Sequence, residues 1–600
     1  MSVPRPEYPR PQFVRPDWLC LNGVWQFEID SGDSGLERGL LQRELSSKIT
    51  VPFCPESELS GIGNPDFLNA VWYRRTVAIP KNWAGKNVLL HFQACDYDTT
   101  VWVNGKEVRR HRGGFTPFTC NLKGVAEAGK KAVIVVRARD NNAMRQPRGK
   151  QVMEYANSGC MYTRTTGIWQ TVWMEPVPEC ALLRPRITPD VANGLLRLEQ
   201  PLNGAKPGYR LEAILRDKAG VAAKASCAAD IDFSPQLDLA IPSKRRRFWS
   251  PSDPHLYQLQ IKLLNEKGQT VDSAASYAGL RSVKICGPAI KINGETIFQR
   301  LVLDQGYYPD GILTAPNEAA LVRDIELSLA AGFNGARLHQ KVFEERFLYH
   351  ADRLGYLVWG EFPDWGGWGT DAKEMEFSIS FITEWLEVLA RDYSHPSIVG
   401  WCPLNETGQS ITDRIQALDD VTRGMFLAAK AMDCTRPVLD ASGYSHRVPE
   451  SDVCDLHDYD QNPQALRERH LPLAEGQAFF NGPRDKLWSI PYNGQPFFNS
   501  EFGGIRWNPD HTPGAESWGY GERPKTLEEF YTRFEGLCAA LLDNPGMFGY
   551  CYTQLTDVYQ EQNGIYFFDR RKKFDMERIR KAQQRPATIE KNAKNKSRKD

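Results

Sequence analysis

Up to about residue 178, short apolar runs alternate with polar positions: 23–29, 70–79, 87–93, 99–103, 131–137 and 169–175. Turn signals such as Asn104-Gly105 and Gly113-Gly114 separate them. A period of two marks strands with one buried face. Residues 1–178 therefore predict a jelly-roll β-sandwich. Residues 179–283 carry further short strands, at 195–199, 209–216, 236–241, 256–264 and 283–285, and predict an immunoglobulin-like β-sandwich.

From residue 284 the pattern changes. Strand candidates at 296–303, 332–338, 355–362, 397–405, 436–441, 452–457, 496–500 and 547–553 alternate with stretches of helical period at 317–331, 342–354, 378–393, 412–432 and 526–542. The first helix has a clear start at Asn317 and a stop at Gly332. Eight strands predict a C-terminal (β/α)8 TIM barrel over 284–590. The polar, basic stretch 591–600 predicts a disordered tail. Between Arg139 and Thr166 runs a long polar loop containing Arg145-Gln146-Pro147-Arg148-Gly149-Lys150. Such a loop either reaches a neighbouring domain, where it binds a carboxylate or hydroxyls, or is simply solvated.

Composition narrows the function. The formal net charge is zero, which argues against nucleic acid as a partner. No run reaches the length of a membrane span, and the start shows no signal-peptide pattern. The 13 cysteines are scattered without CxxC pairs, as for thiols of a reducing compartment, so a cytoplasmic location is expected. Aromatic residues make up 11% of the chain, with 16 tryptophans; most serve packing, and the excess favours flat ligands such as sugars.

The chemistry centres on two glutamates. Glu406 closes Gly400-Trp-Cys-Pro-Leu-Asn-Glu406 at the end of the fourth candidate strand, and Glu501 closes Phe497-Phe-Asn-Ser-Glu501 at the end of the seventh. A lone strand-end glutamate is usually a surface residue; two, placed across a barrel mouth where barrels keep their active sites, are not. A proton-donating carboxyl and an ionised carboxylate flanking one bond are the parts of glycoside hydrolysis. Arg337, at the end of the second strand, is placed to hold Glu501 ionised, and Asn405 to bind a sugar hydroxyl. Asp304, Gln305, Gln554 and Asp557 lie in strand-end contexts; each either lines the pocket or bonds loop backbone. His339 and His457 form no HxH pair, so neither a metal nor another cofactor is expected.

These residues carry a resemblance to glycoside hydrolase family 2, the β-galactosidase and β-glucuronidase family, over nearly the whole chain. It rests on Trp72-Tyr73-Arg74-Arg75, Val101-Trp102-Val103-Asn104-Gly105, Gly113-Gly114-Phe115, Gly167-Ile168-Trp169-Gln170, Gly332-Phe333-Asn334-Gly335-Ala336-Arg337, Trp401 to Glu406 and Asn499-Ser500-Glu501-Phe502-Gly503. The resemblance implies a retaining exo-β-glycosidase. Glu406 would be its acid/base, Glu501 its nucleophile and Asn405 its contact to the 2-hydroxyl, with Tyr459 supporting the nucleophile and His457 nearby. It also makes a homo-oligomer an expectation. Three departures leave the sugar open. The stretch Gln562-Asn563-Gly564-Ile565 lacks the lysine of the glucuronidases' Asn-x-Lys motif, Thr553 stands where the family has a tryptophan, and His339 follows Arg337 by two residues, not three. The ring platform would then come from Trp365, Trp368 or Trp507. A β-galactosidase is the first expectation; a β-glucuronidase or β-galacturonidase, or an enzyme for an arabinose-type sugar, is the alternative. A rival from another class is a non-catalytic carbohydrate-binding protein on the same scaffold.

Overall fold

A six-stranded and a four-stranded antiparallel sheet face each other in the first part of the chain. The computed structural model describes residues 3–367, 377–480, 487–509 and 516–596. The long central strands Ala70–Ala78 and Lys131–Arg139 pair over their whole length. Their inward residues, Tyr73, Ile134 and Val136, meet Leu90, Phe92 and Met174 of the opposing sheet in one dry core. Phe118–Asn121 alternates buried and exposed residues as a strand with one solvated face does, whereas Ala70–Ala78, Lys131–Arg139 and Val172–Val177 are buried on both faces over much of their length.

The next unit packs a three-stranded sheet (Arg186–Asp190, Leu195–Glu199, Gln236–Ala240) on a four-stranded one (Arg210–Asp217, Gly220–Ala228, Tyr257–Leu264, Thr270–Ala278). Leu196, Leu198 and Leu239 interdigitate with Leu211, Leu215 and Ile261. The segment 283–285 falls outside this pair of sheets. It belongs to a hairpin, Val283–Cys286 with Ala289–Ile292, leading into the third unit.

The third unit is a curled, seven-stranded parallel sheet. We number its strands β1 (Gln299–Asp304), β2 (Gly335–Leu338), β3 (Leu357–Glu361), β4 (Ile398–Cys402), β5 (Cys454–Asp458), β6 (Phe497–Gly503) and β7 (Met547–Thr553). They lie in the order β4-β3-β2-β1-β7-β6-β5. Helices Glu318–Ala330, Glu345–Leu354, Ile379–Asp392, Ala417–Met432 and Leu527–Leu542 fall where the helical period placed them. Asn317 caps the first, accepting from the Ala320 amide.

Two expectations fail here. The candidate strand 436–441 is no strand: it makes only isolated bridges to the β4 segment, Trp401 to Val438 and Asn405 to Ser442. Pro437 has no amide hydrogen to give a ladder. Asp440 turns the chain by accepting from the amides of Arg447 and Val448 and from His446. The segment nonetheless bridges the gap between β4 and β5, because the Asp452 amide donates to the Val438 carbonyl at 3.1 Å. Second, the 591–600 tail is helical through Lys596, as part of Thr588–Lys596. Glu590, from its first turn, pairs with Arg300 at 2.9 Å and so ties this helix to β1.

The first unit lies against the C-terminal ends of β2 and β3. The Arg148 amide donates to the Trp365 carbonyl (2.8 Å) and the Gly149 amide to Pro363 (3.2 Å). Gly149 has φ +61°, and a Cβ there would lie 1.9 Å from the Gln340 carbonyl oxygen. Only glycine permits this approach. Gly149→Ala is therefore expected to lift the 145–150 loop, at a cost of about 2–4 kcal/mol. Limited trypsin digestion should then cut at Arg145, Arg148 or Lys150 in the variant only. Equal resistance of both proteins would show that the loop is not held here.

Candidate active site

Arg337, on β2, is fully buried and organises the centre of the sheet's C-terminal end. Its guanidinium donates to the Ser500 carbonyl (2.8 Å), Glu501 Oε1 (3.1 Å), Glu361 Oε2 (2.7 Å) and Asn405 Oδ1 (3.0 Å). A planar fork of fixed donors suits this task in a way an ammonium does not. Glu361 also lies 2.8 Å from His339 Nδ1 and accepts from the Gln340 amide.

Glu501 lies inside β6, two residues before its end, where the pairing with β5 and β7 slips register. Such irregularities re-aim a side chain. Burial alone would push its carboxyl up; His457, His339, Arg337 and Lys150 override that and bring it from 4.5 down to about 2. Burial pushes His339 itself down, so the fixed cations and His457 carry most of this stabilisation. The second oxygen of Glu501 accepts from the Tyr459 hydroxyl. Burial, then Glu501, keeps that phenol protonated. Tyr459 OH also lies 3.0 Å from Thr553 Oγ1, and its ring stacks on Tyr520.

Glu406 stands four residues beyond β4 with φ +50°, a conformation a glutamate seldom adopts. Its amide donates to the Ser442 carbonyl at 2.8 Å. His457 Nδ1 is 2.7 Å from Glu406, and Nε2 is 3.4 Å from Glu501. Burial opposes the imidazolium, but Glu501 and Glu406 outweigh it and raise its pKa. Oxygens of Glu406 and Glu501 and a nitrogen of His457 all lie within 4.8 Å of one another. Three such atoms are also a conceivable cation site; Arg337 and a charged His457 make it an unfavourable one. Asn405 offers a further group: its Nδ2 is buried with no partner among the described residues.

The structure thus brings together Glu406, Glu501, Asn405, Arg337, His339, His457 and Tyr459. The other expected residues fare differently. Asp557 is bound to Lys573 (2.8 Å) and to the Gly564 amide (2.9 Å); burial leaves it at about 6 despite that pairing. Its role is to hold the loop after β7. Asp304 caps the Gly306 amide, and burial together with Asp324 pushes it up to about 7. Gln554 donates to Asn563 Oδ1 at 2.8 Å, and its own Oε1 has no partner among the described residues. Gln305 is buried with both amide atoms unpaired among the described residues. Trp365 donates to the Asn405 carbonyl at 3.1 Å, beside the site, while Trp507 packs on Phe530. Trp368 lies outside the described residues. Sequence reasoning missed Glu361, although Trp359-Gly360-Glu361 carries the same strand-end signal that marked Glu406. It missed Tyr520, Glu561 and Cys160 too: Glu561 and Cys160 lie in the field of Lys150, and all three sit in irregular segments without a period.

Comparison with known proteins places the chain in a family. Residues 19–172 match the model of the glycosyl hydrolases family 2 sugar binding domain, and residues 183–281 that of glycosyl hydrolases family 2. A β-glucuronidase of Paenibacillus borealis is 26% identical over 446 residues, covering 70% of this chain and 72% of the relative. The β-glucuronidase of Sus scrofa is 25% identical, covering 73% and 71%. A β-glucuronidase from Ruminococcus gnavus, solved with an N1-substituted uronic isofagomine, superposes with a TM-score of 0.75 at 19% identity, covering 97% of this chain and 100% of that one. A β-D-glucuronidase from Dictyoglomus thermophilum superposes with a TM-score of 0.74 at 20% identity, covering 97% and 99%. With a paired-glutamate site in a multidomain, β-rich fold that ends in a curled parallel sheet, the chain belongs to glycoside hydrolase family 2 and is an O-glycosyl hydrolase.

Proposed function

We propose that this enzyme is a retaining exo-β-glycosidase that removes a terminal hexuronic acid. The observation that carries the mechanism is the approach of Glu406 and Glu501 oxygens to within 4.8 Å. Retaining enzymes hold their carboxyls about 5–5.5 Å apart, whereas inverting ones leave roughly 6.5–9.5 Å for a water. Glu501, held ionised by Arg337 and its neighbours, attacks the anomeric carbon. Glu406 gives its proton to the departing oxygen, then takes one from the water that releases the sugar. The free Nδ2 of Asn405 donates to the 2-hydroxyl. The β-glucuronidase names of the relatives favour the uronide over the galactoside first expected from sequence. A galactoside or an arabinose-type sugar is the competing outcome of a nitrophenyl glycoside panel.

The same reading divides the chain into a jelly roll (1–178), an immunoglobulin-like sandwich (179–283) and a (β/α)8 barrel (284–590). Supporting this are the separate cores of the three parts, and the bridges of 438–442 where the fifth strand would close the sheet. Among the described residues no helix is long and apolar enough to cross a membrane. The 13 unpaired cysteines suit a reducing compartment such as the cytoplasm.

Three outcomes test the mechanism. Glu501→Ala is expected to lower kcat/KM by about four orders of magnitude or more. Azide should rescue Glu406→Ala on an activated nitrophenyl substrate, giving a glycosyl azide of retained configuration, and should not rescue Glu406→Gln in the same way. A first-formed product of inverted configuration, seen by NMR, would overturn retention. Loss of activity in EDTA would favour a metal mechanism, and binding without nitrophenol release a lectin.

A further outcome concerns pH. The folded-state pKa of Glu501 lies below its unfolded value of 4.5, at about 2. Its contribution to stability is thus present above pH 4.5 and is lost as pH falls toward 2. Thermal melts should show a steeper acid-side decline for the wild type than for Glu501→Gln. Parallel declines would mean that Glu501 is not held ionised.

A further inference from the structure

One cation beside the two glutamates adds to the potential that holds Glu501 ionised, yet the mechanism above gives it no group of the substrate to bind. Lys150 comes from the first unit, on the loop that Arg148 and Gly149 pin to the carbonyls of Trp365 and Pro363. Its own backbone is fixed from the other side, since the Tyr162 amide donates to the Lys150 carbonyl at 2.8 Å. The side chain is only 5% exposed. Its Nζ lies 5.3 Å from the Trp365 ring centroid and 5.9 Å from that of Tyr162. Burial works against its charge, yet the surroundings, with the carboxylates Glu561, Glu501 and Glu406, raise its pKa above the ordinary value. Lys150 is therefore an ammonium at any physiological pH.

Among the described residues this ammonium has neither a hydrogen bond nor an ion pair. The other cations nearby are occupied. Arg337 is bound to Glu361, Glu501 and Asn405, and Lys341 donates to the carbonyls of Gly306 and Leu313. Glu561, the first carboxylate in the field of Lys150, already accepts from the Tyr162 hydroxyl and from Asn563 Nδ2. A buried, charged donor without an acceptor is costly, and the cost is recovered when an anionic acceptor arrives.

We propose that Lys150 is a specificity-determining residue: it receives the C5 carboxylate of the terminal hexuronic acid, so that the first domain supplies the cation that reads the sugar's charge. This inference rests on the uronide reading above. It assigns the charge to a residue more than 250 positions away in sequence from either catalytic glutamate, on a rigidly held loop. A neutral hexose, with a hydroxymethyl group in place of the carboxylate, would leave the ammonium with a weaker acceptor. In the loop after β7, Lys573 is taken by Asp557 and Arg570 by Asp324, while Glu561, Asn563 and Gln554 bond to one another.

The test compares two pairs of substrates that differ only at C6: 4-nitrophenyl β-D-glucuronide against the glucoside, and the galacturonide against the galactoside. The wild type, Lys150→Met and Lys150→Arg are assayed on all four. Lys150→Met is expected to lower the uronide-to-hexoside ratio of kcat/KM by about two orders of magnitude, the loss of a charge-assisted bond in a shielded site. Lys150→Arg should keep the ratio within about tenfold, because it retains the charge. The ratio is taken within one protein, so partial unfolding of a variant cancels, and the arginine variant guards against a methionine variant that fails to fold. Equal loss on uronide and hexoside, or no loss at all, would overturn the role of Lys150 while leaving the uronide reading intact. A wild type that cleaves only hexosides would overturn both.

Discussion

The guanidinium of Arg337 sits wholly out of water, and the rest of the site follows from how its charge is matched. A buried cation is tolerated only with well-placed anions and filled hydrogen bonds. Here the partners come from separate pieces of the parallel sheet: Glu361 from β3, Asn405 beyond β4, and Ser500 and Glu501 from β6. The pairing fixes these strand ends relative to one another. It also fixes protonation. Glu501 is wedged between Arg337 and His457, and neutralising it would leave the guanidinium with Glu361 as its sole charged partner. The carboxylate's low basicity and its position are thus one fact seen twice.

Glu406 meets a different environment. It has no contact with Arg337, it sits on irregular backbone at positive φ, and its neighbour is the titratable imidazole of His457. One carboxyl is locked by a permanent cation, and the other touches a group whose charge can change. Two chemically identical side chains thereby meet unlike surroundings, the arrangement by which acid/base pairs are generally divided and on which the proposed mechanism draws. The first domain enters the same balance, because Lys150 adds positive potential from outside the sheet and Gly149 lets that loop come close enough to matter.

Much of this was legible in the sequence. Helices with regular periods fell within a few residues of expectation, and seven of the eight candidate strands of the third unit appeared. The expected residues that the structure brings together sit at or just beyond strand ends, where a polar residue interrupts an apolar run. The failures share a cause. At 436–441 the apolar residues Val438 and Leu439 promised a strand; Pro437 and Leu439 do bond Trp401, but Pro437 has no amide hydrogen and Asp440 turns the chain by accepting from the Arg447 and Val448 amides, so the pairing stops at isolated bridges. Asp557 has the look of a pocket residue until Lys573, 16 positions later, claims it. Lys150, Cys160 and Tyr520 lie in loops, where no period announces a direction and only the docking of one unit on another decides what a side chain faces.

Thr553 shows how a departure from a family pattern can have a positive meaning. An indole at the end of β7 would offer a ring face but no acceptor. The threonine hydroxyl lies 3.0 Å from Tyr459 OH, which in turn donates to Glu501. Tyr459 is also clamped from the side, its ring stacked at 3.3 Å and 3° on Tyr520. A phenol held in one rotamer by stacking and by a second hydroxyl need not reorganise as charge leaves Glu501 on bond formation, which is the condition for electrostatic preorganisation. In the mechanism proposed above, the position would serve the nucleophile rather than the sugar ring. Among the described residues, Trp365, tied to the Asn405 carbonyl and facing Lys150, is one aromatic ring that stands beside the site, and Tyr444, packed on His457, is another.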